Sequence, residues 1–107
     1  MSGFDDRKKG QESKYAHDQE LEFKATARRN KLLGLWAAEL MGLTGEDAAE
    51  YAKEVIRADF EEAGHEDVFR KVRSDFDARG IEQSDHQIRH KMDQLLEEAR
   101  QQVRSEA

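Results

Sequence analysis

The chain has 107 residues with no cysteine and no proline, and 39% of its residues are charged, for a net charge of −6. The lack of cysteine excludes disulfides, iron–sulfur clusters and thiolate zinc sites. The length fits one domain with a modest core. A composition rich in helix-forming residues and free of proline predicts an all-α protein.

The first segment, residues 1–17, is polar: besides the first methionine, only Phe4, Tyr15 and Ala16 are apolar. A helix without an apolar stripe lacks the packing that stabilises most helices in proteins. We therefore predict a flexible N-terminal arm that is disordered or folds on binding. The folded domain is expected over residues 18–107.

Apolar residues at spacings of three and four predict four helices in the folded domain. Glycines and helix-starting residues separate them. The short linkers favour antiparallel neighbours, and so a four-helix bundle. The predicted helices lie near residues 18–42, 45–62, 66–79 and 85–105.

Several local signals support these boundaries. Gly42 is placed to end the first helix, and Thr44 is a candidate N-cap for the second. Ser84 and Gln87 have the spacing of a capping box.

Gly34, inside the first helix, costs about 1 kcal/mol relative to alanine and indicates a close helix–helix contact or a hinge. The predicted apolar face of the second helix comprises Ala48, Tyr51, Ala52, Val55, Ile56 and Phe60.

The charge is unevenly distributed. Residues 39–67 carry two basic and ten acidic residues, a net charge of −8. This acidity argues against nucleic acid as a partner and favours a protein with a basic patch. No stretch resembles a signal peptide or is long enough to cross a bilayer, so we expect a cytoplasmic protein without membrane insertion.

One basic cluster lies in the folded part, formed by Lys24, Arg28, Arg29 and Lys31. Arginine donates bidentate hydrogen bonds, so the cluster is a candidate contact for a phosphate, a nucleotide or a partner protein. No glycine-rich loop accompanies it. A solvated helix face with stabilising ion pairs is an equally good interpretation.

An acidic pair, Glu61 and Glu62, is predicted at the end of the second helix. Negative charge is mildly unfavourable there, because the helix dipole places partial negative charge at the same end. The pair is therefore a second candidate partner contact.

The sequence gives little support for a catalytic or metal-binding site. His86 and His90 have a spacing that allows two imidazoles to share a metal, but Gln87 replaces the glutamate of the zincin motif. No serine has a nucleophile-elbow context. We expect a binding or regulatory protein, not an enzyme, with no metal site and no required cofactor.

Four segments together resemble the zeta subunit of the alphaproteobacterial F-type ATP synthase. The resemblance covers nearly the whole chain and weakens in the last helix. The segments, with x for positions outside the resemblance, are Phe4-Asp5-Asp6-Arg7, Lys14-Tyr15-Ala16-His17-Asp18, Phe23-Lys24-Ala25-x-Ala27-Arg28-Arg29-Asn30-Lys31-Leu32-Leu33-Gly34-x-Trp36-Ala37-Ala38 and Ala58-Asp59-Phe60-Glu61-Glu62-Ala63-Gly64-x-Glu66-Asp67-Val68-Phe69-Arg70-Lys71-Val72.

This resemblance implies a four-helix bundle that inhibits the ATP-hydrolysing direction of the synthase. The arm would become helical and enter the interface of a catalytic beta and a non-catalytic alpha subunit beside the gamma rotor, while the bundle anchors it outside. The protein would be cytoplasmic and peripheral on the membrane-bound synthase. The family also implies weak binding of ATP or ADP. The residues assigned to the inhibitory arm are Phe4, Asp5, Asp6, Arg7, Lys14, Tyr15 and His17.

The arm departs from the pattern of strongly inhibiting members. In a helix, Phe4, Gln11 and Tyr15 project from one stripe, within about 20° of Phe4. Strong inhibitors tend to have an aromatic residue at the middle position, and Gly10 beside it disfavours helix formation. We therefore expect binding with weak inhibition. A nucleotide-sensing adaptor and a structural assembly factor are the alternatives.

Overall fold

The computed structural model describes residues 2–61 and 66–106, with side chains from residue 18 onward. It contains four helices, α1 (Ser2–Leu40), α2 (Gly45–Ala58), α3 (Glu66–Arg79) and α4 (Asp85–Glu106). The predicted all-α fold with four helices is confirmed. α1 starts at Ser2, so one helix includes both the backbone of the predicted arm and the first predicted helix of the bundle.

Helix α1 is the centre of the bundle. It packs against α2 and α4 over long stretches and also touches α3. Within residues 2–61 and 66–106, no Cα atom of α2 lies within 8 Å of a Cα atom of α4. One side of α1 is therefore covered by α2 and another by α4.

Two apolar clusters hold the helices together. In the larger one, which draws on all four helices, the Trp36 ring packs edge-on against Phe76 with centroids 5.6 Å apart. The smaller one comes from α1 and α4 alone, with Ala25, Ala99 and Val103 buried between Leu21, Leu32 and Leu96. The buried residues of the larger cluster are Leu33, Ala37, Ala38, Tyr51, Val55, Val68, Phe69, Val72, Phe76, Ile88, Met92 and Leu95.

Local signals at two helix ends are confirmed. Gly42 has φ of 77°, and Leu43 N–H donates to the Ala38 carbonyl at 2.8 Å, as in a Schellman motif. At the start of α4, Ser84 N–H donates to Gln87 Oε1 at 2.8 Å, and Gln87 N–H donates to Ser84 Oγ at 3.0 Å. This reciprocal pair is the predicted capping box.

Of two predictions for α2, one is confirmed and one is wrong. Thr44 occupies the N-cap position with an extended backbone, although its side chain makes no capping hydrogen bond. Phe60 does not belong to the buried face of α2, because the helix ends at Ala58 and Phe60 lies in the following turn. Its side chain is 74% exposed.

Polar contacts join α2 to α3. The buried Tyr51 hydroxyl donates to Asp75 at 2.8 Å, and Lys71 Nζ lies 3.0 Å from Asp75 and 3.4 Å from Glu54. Burial, and then the hydrogen bond to Asp75, raises the pKa of Tyr51. The phenol therefore stays protonated, and the contact can hold the two helices in register.

Gly34 lies at the closest approach of α1 to α2. A Cβ atom at this position would be 2.6 Å from the Cα and 3.1 Å from the Cβ of Ala52. Such a distance to a backbone atom cannot be relieved by rotating a side chain. Of the two interpretations of Gly34, a close contact or a hinge, the structure supports the close contact.

We expect Gly34→Ala to lower the free energy of unfolding by about 1–2 kcal/mol. Because the clash is with a backbone atom, overpacking costs the upper part of its usual range, about 2–3 kcal/mol, and the better helix propensity of alanine offsets about 1 kcal/mol of that cost. Urea unfolding followed by circular dichroism measures the change. Adding Ala52→Gly should recover only part of the lost free energy of unfolding, because the backbone at position 52 would still crowd the new methyl group. A variant as stable as the wild type would contradict this account of the α1–α2 packing.

Candidate partner-binding surfaces

The residues assigned to the inhibitory arm all lie in the N-terminal part of α1, before residue 18. Their side chains are outside the described part of the chain. The assignment of Phe4, Asp5, Asp6, Arg7, Lys14, Tyr15 and His17 to the arm therefore stays a prediction.

Three members of the predicted basic cluster share one surface. Lys24, Arg28 and Lys31 line a shallow groove along the outer side of α1. Lys24 Nζ lies 3.3 Å from Glu20, and Arg28 pairs with Glu106 of α4, with one N···O distance of 2.8 Å. In the described part of the chain, no carboxylate lies within ion-pair distance of Lys31. The groove therefore retains positive charge.

The fourth member, Arg29, is not on that surface. Its side chain is only 2% exposed, and its Nε donates to Asn30 Oδ1 at 2.8 Å. Burial lowers the pKa of Arg29, while the negative charges of Asp59 at the end of α2 and Asp93 of α4 raise it. Those carboxylates lie just after α2 and on α4, so the buried positive charge of Arg29 on α1 is in the electrostatic field of both neighbouring helices.

The acidic pair is only partly described. Glu61 is exposed in the turn that follows α2. Glu62 lies outside the described residues. The use of Glu61 and Glu62 as a joint partner contact therefore stays a prediction.

An apolar surface lies beside the basic groove. Phe23 of α1 is 67% exposed, and Phe60 after α2 faces the same crevice, with Ile56 and Ala27 between them. Phe23, Ala27 and Ile56 also line the groove that holds the three cations. The sequence signal for this surface is weak, since each phenylalanine stands between charged residues in Glu22-Phe23-Lys24 and Asp59-Phe60-Glu61.

The two histidines of α4 stack on each other. The rings of His86 and His90 have centroids 6.4 Å apart and planes inclined by 23°. Across the described residues, no three His, Cys, Asp or Glu side chains are placed to hold a metal ion together. A search of the same residues for a helix long and apolar enough to traverse a bilayer found none.

Comparisons with known proteins give a family match and a structural match. The profile of the family described as ATPase inhibitor subunit zeta matches residues 1–102. A solution NMR structure is similar to this chain with a TM-score of 0.71 and 49% sequence identity, over 81% of this chain and 99% of its own. No curated protein sequence matches.

We expect Arg29→Met to lower the free energy of unfolding by about 1–3 kcal/mol. The variant keeps an apolar stem but removes the hydrogen bond from Arg29 Nε to Oδ1 of the buried Asn30, and a buried acceptor that loses its donor costs about 1–3 kcal/mol. Lys31→Met is the matched control on the exposed face of the same helix and should change stability by less than about 0.5 kcal/mol. Denaturant unfolding of both variants measures the difference. Equal stabilities would contradict a structural role for Arg29.

Proposed function

Because the chain belongs to the ATPase inhibitor subunit zeta family, we propose that it binds the catalytic head of the F-type ATP synthase and inhibits ATP hydrolysis with its N-terminal arm. Membership itself makes the chain a regulatory inhibitor subunit. The proposal adds the mechanism, in which the arm enters between an alpha and a beta subunit beside gamma. The rotor is then stopped in the hydrolytic direction.

The continuity of α1 is the observation that carries this mechanism. The helix extends from Ser2 to Leu40, whereas its contacts in the smaller apolar cluster begin at Leu21. At 1.5 Å per residue, the helix backbone over residues 2–20 is about 28 Å long. An arm that continues a helix fixed in the bundle can act as a wedge.

The residues of the arm suit an interface that is only partly apolar. In an ideal helix Phe4 and Tyr15 project from one stripe, with Gln11 between them. Gly10 costs about 1 kcal/mol of helix formation. If the complex buries an aromatic ring at position 11 in other members, the polar Gln11 weakens the binding free energy by roughly a further 1.5–3 kcal/mol. Together these terms reduce affinity by about a hundredfold or more, so we propose weak inhibition.

The nucleotide-sensing alternative receives less support. It depends on the basic helix face, but Arg29 is buried and Arg28 is paired with Glu106. Lys24 pairs with Glu20, which leaves Lys31 as the cation of the groove without an ion pair in the described part of the chain. Weak binding of ATP or ADP is therefore kept as a secondary proposal, and no cofactor is required for inhibition.

Removal of residues 1–17 should abolish inhibition and leave binding of the bundle to the synthase head. The reason is that the arm blocks the rotor while the bundle supplies the anchor. ATP hydrolysis by a head depleted of its own zeta subunit, and co-sedimentation of the chain with that head, measure the two properties. A truncated chain that inhibits as well as the full chain would exclude the arm as the inhibitory element.

Gly10→Ala combined with Gln11→Phe should strengthen inhibition by about tenfold or more, because it restores helix propensity and an aromatic residue on the stripe. Gly10→Ala combined with Ser13→Phe is the matched control, since position 13 projects about 180° from Phe4. Inhibition curves for ATP hydrolysis measure both. If the two variants inhibit equally, the stripe does not face the synthase.

A further inference from the structure

Two large aromatic side chains are exposed on the same surface of the bundle. Phe23 is 67% exposed and Phe60 is 74% exposed, and both line the crevice beside Ile56. Neither phenylalanine belongs to the two clusters that hold the helices together. The fold therefore gains little from this apolar area, and contiguous exposed apolar surface of this kind marks a site of interaction.

The shape of this surface fits a helix. No Cα atoms of α2 and α4 lie within 8 Å of each other in the described ranges, and the outer side of α1 is open between Ile56 of α2 and Val103 of α4. Phe23, Ala27 and Lys31 follow that side with a spacing of four. This stretch spans about 12 Å, or two helical turns. Two turns accommodate the i, i+3, i+4 and i+7 anchors of an amphipathic helix in a groove.

The charge of this groove fits an acidic partner. Lys24, Arg28 and Lys31 lie along it. Glu106 pairs with Arg28 and Glu20 pairs with Lys24, but Lys31 has no carboxylate within ion-pair distance in the part of the chain that is described. Asp59 lines the crevice beside Phe60 but does not line this groove. The charge left for a partner at this groove is therefore positive.

We propose that this groove is the anchoring site of the bundle and that it receives an amphipathic, acidic helix from a subunit of the ATP synthase head. Apolar residues of that helix pack on Phe23, Ile56 and Phe60, and its carboxylates face Lys24 and Lys31. The inference rests on the proposed function, since it takes the synthase head as the partner. It adds a surface distinct from the arm.

The groove and the arm belong to the same helix, which gives the anchor a mechanical role. A partner helix bound along Phe23 to Lys31 holds α1, and α1 begins at Ser2. Anchoring raises the effective concentration of the arm at its own interface. Loss of the anchor should therefore shift the inhibition curve to higher concentration without lowering the inhibition reached at saturation.

The test uses the full chain and a synthase head depleted of its zeta subunit. We expect Phe23→Ser/Phe60→Ser to weaken binding about a hundredfold, because buried aromatic anchors dominate interfaces. Lys24→Glu/Lys31→Glu should weaken it about tenfold and more strongly at low salt. Both pairs are exposed, and circular dichroism checks that each variant keeps its helix content. Binding is measured by co-sedimentation and inhibition by ATP hydrolysis.

Matched controls change equivalent residues away from the groove. Leu40→Ser replaces another exposed apolar side chain of α1, and Lys53→Glu/Arg79→Glu makes the same change in net charge on α2 and α3. Both controls should bind like the wild type. If they weaken binding as much as the groove variants do, the groove has no special role.

The outcomes separate the two proposals. If the wild type neither binds nor inhibits, the proposed function fails and the anchoring site fails with it. If the wild type inhibits and the phenylalanine variant binds equally well, only the anchoring site is overturned. Tighter binding by the lysine-to-glutamate variant excludes an acidic partner. A wild-type dimer in sedimentation that the phenylalanine variant dissociates assigns the surface to a second copy of the chain instead.

Discussion

No side chain beyond hydrogen fits between α1 and α2 at position 34, where a Cβ would meet the Ala52 backbone at 2.6 Å. The neighbouring interior positions of α1, Ala37 and Ala38, are also small. Small residues let helix axes approach closely, and larger ones on the other helices, such as Phe76 and Ile88, then fill the space. The close approach of α1 to α2 is thus a consequence of small residues at their point of contact.

The basic cluster of α1 shows how one short run of similar residues divides into two roles. Successive residues in a helix are rotated by about 100°, so Arg28 and Arg29 face different surroundings. Arg29 is enclosed near carboxylates of α2 and α4, whereas Lys24, Arg28 and Lys31 border the open groove. Composition alone cannot separate these roles. The role of each basic residue depends on where the neighbouring helices lie.

Features set by short-range contacts were predictable. The capping box at Ser84 and Gln87 and the glycine stop at Gly42 need only residues within one turn. The exposure of Phe60 was not predictable in this way, because it depends on α2 ending at Ala58. The groove beside Phe23 likewise exists only because α2 and α4 stay apart in the described structure. Sequence patterns therefore located the helices better than the surfaces between them.

The division of the interior into two clusters also bears on local stability. α1 is continuous in geometry, but around Ala25 it is covered by α4 residues such as Ala99, while around Leu33 all four helices contribute. Free energies of local opening follow the amount of buried apolar contact. Amide hydrogen exchange along α1 should then slow down from Leu21 towards Ala38. The stability of this one continuous helix against local opening is thereby lower near Leu21, next to the arm, than near Ala38.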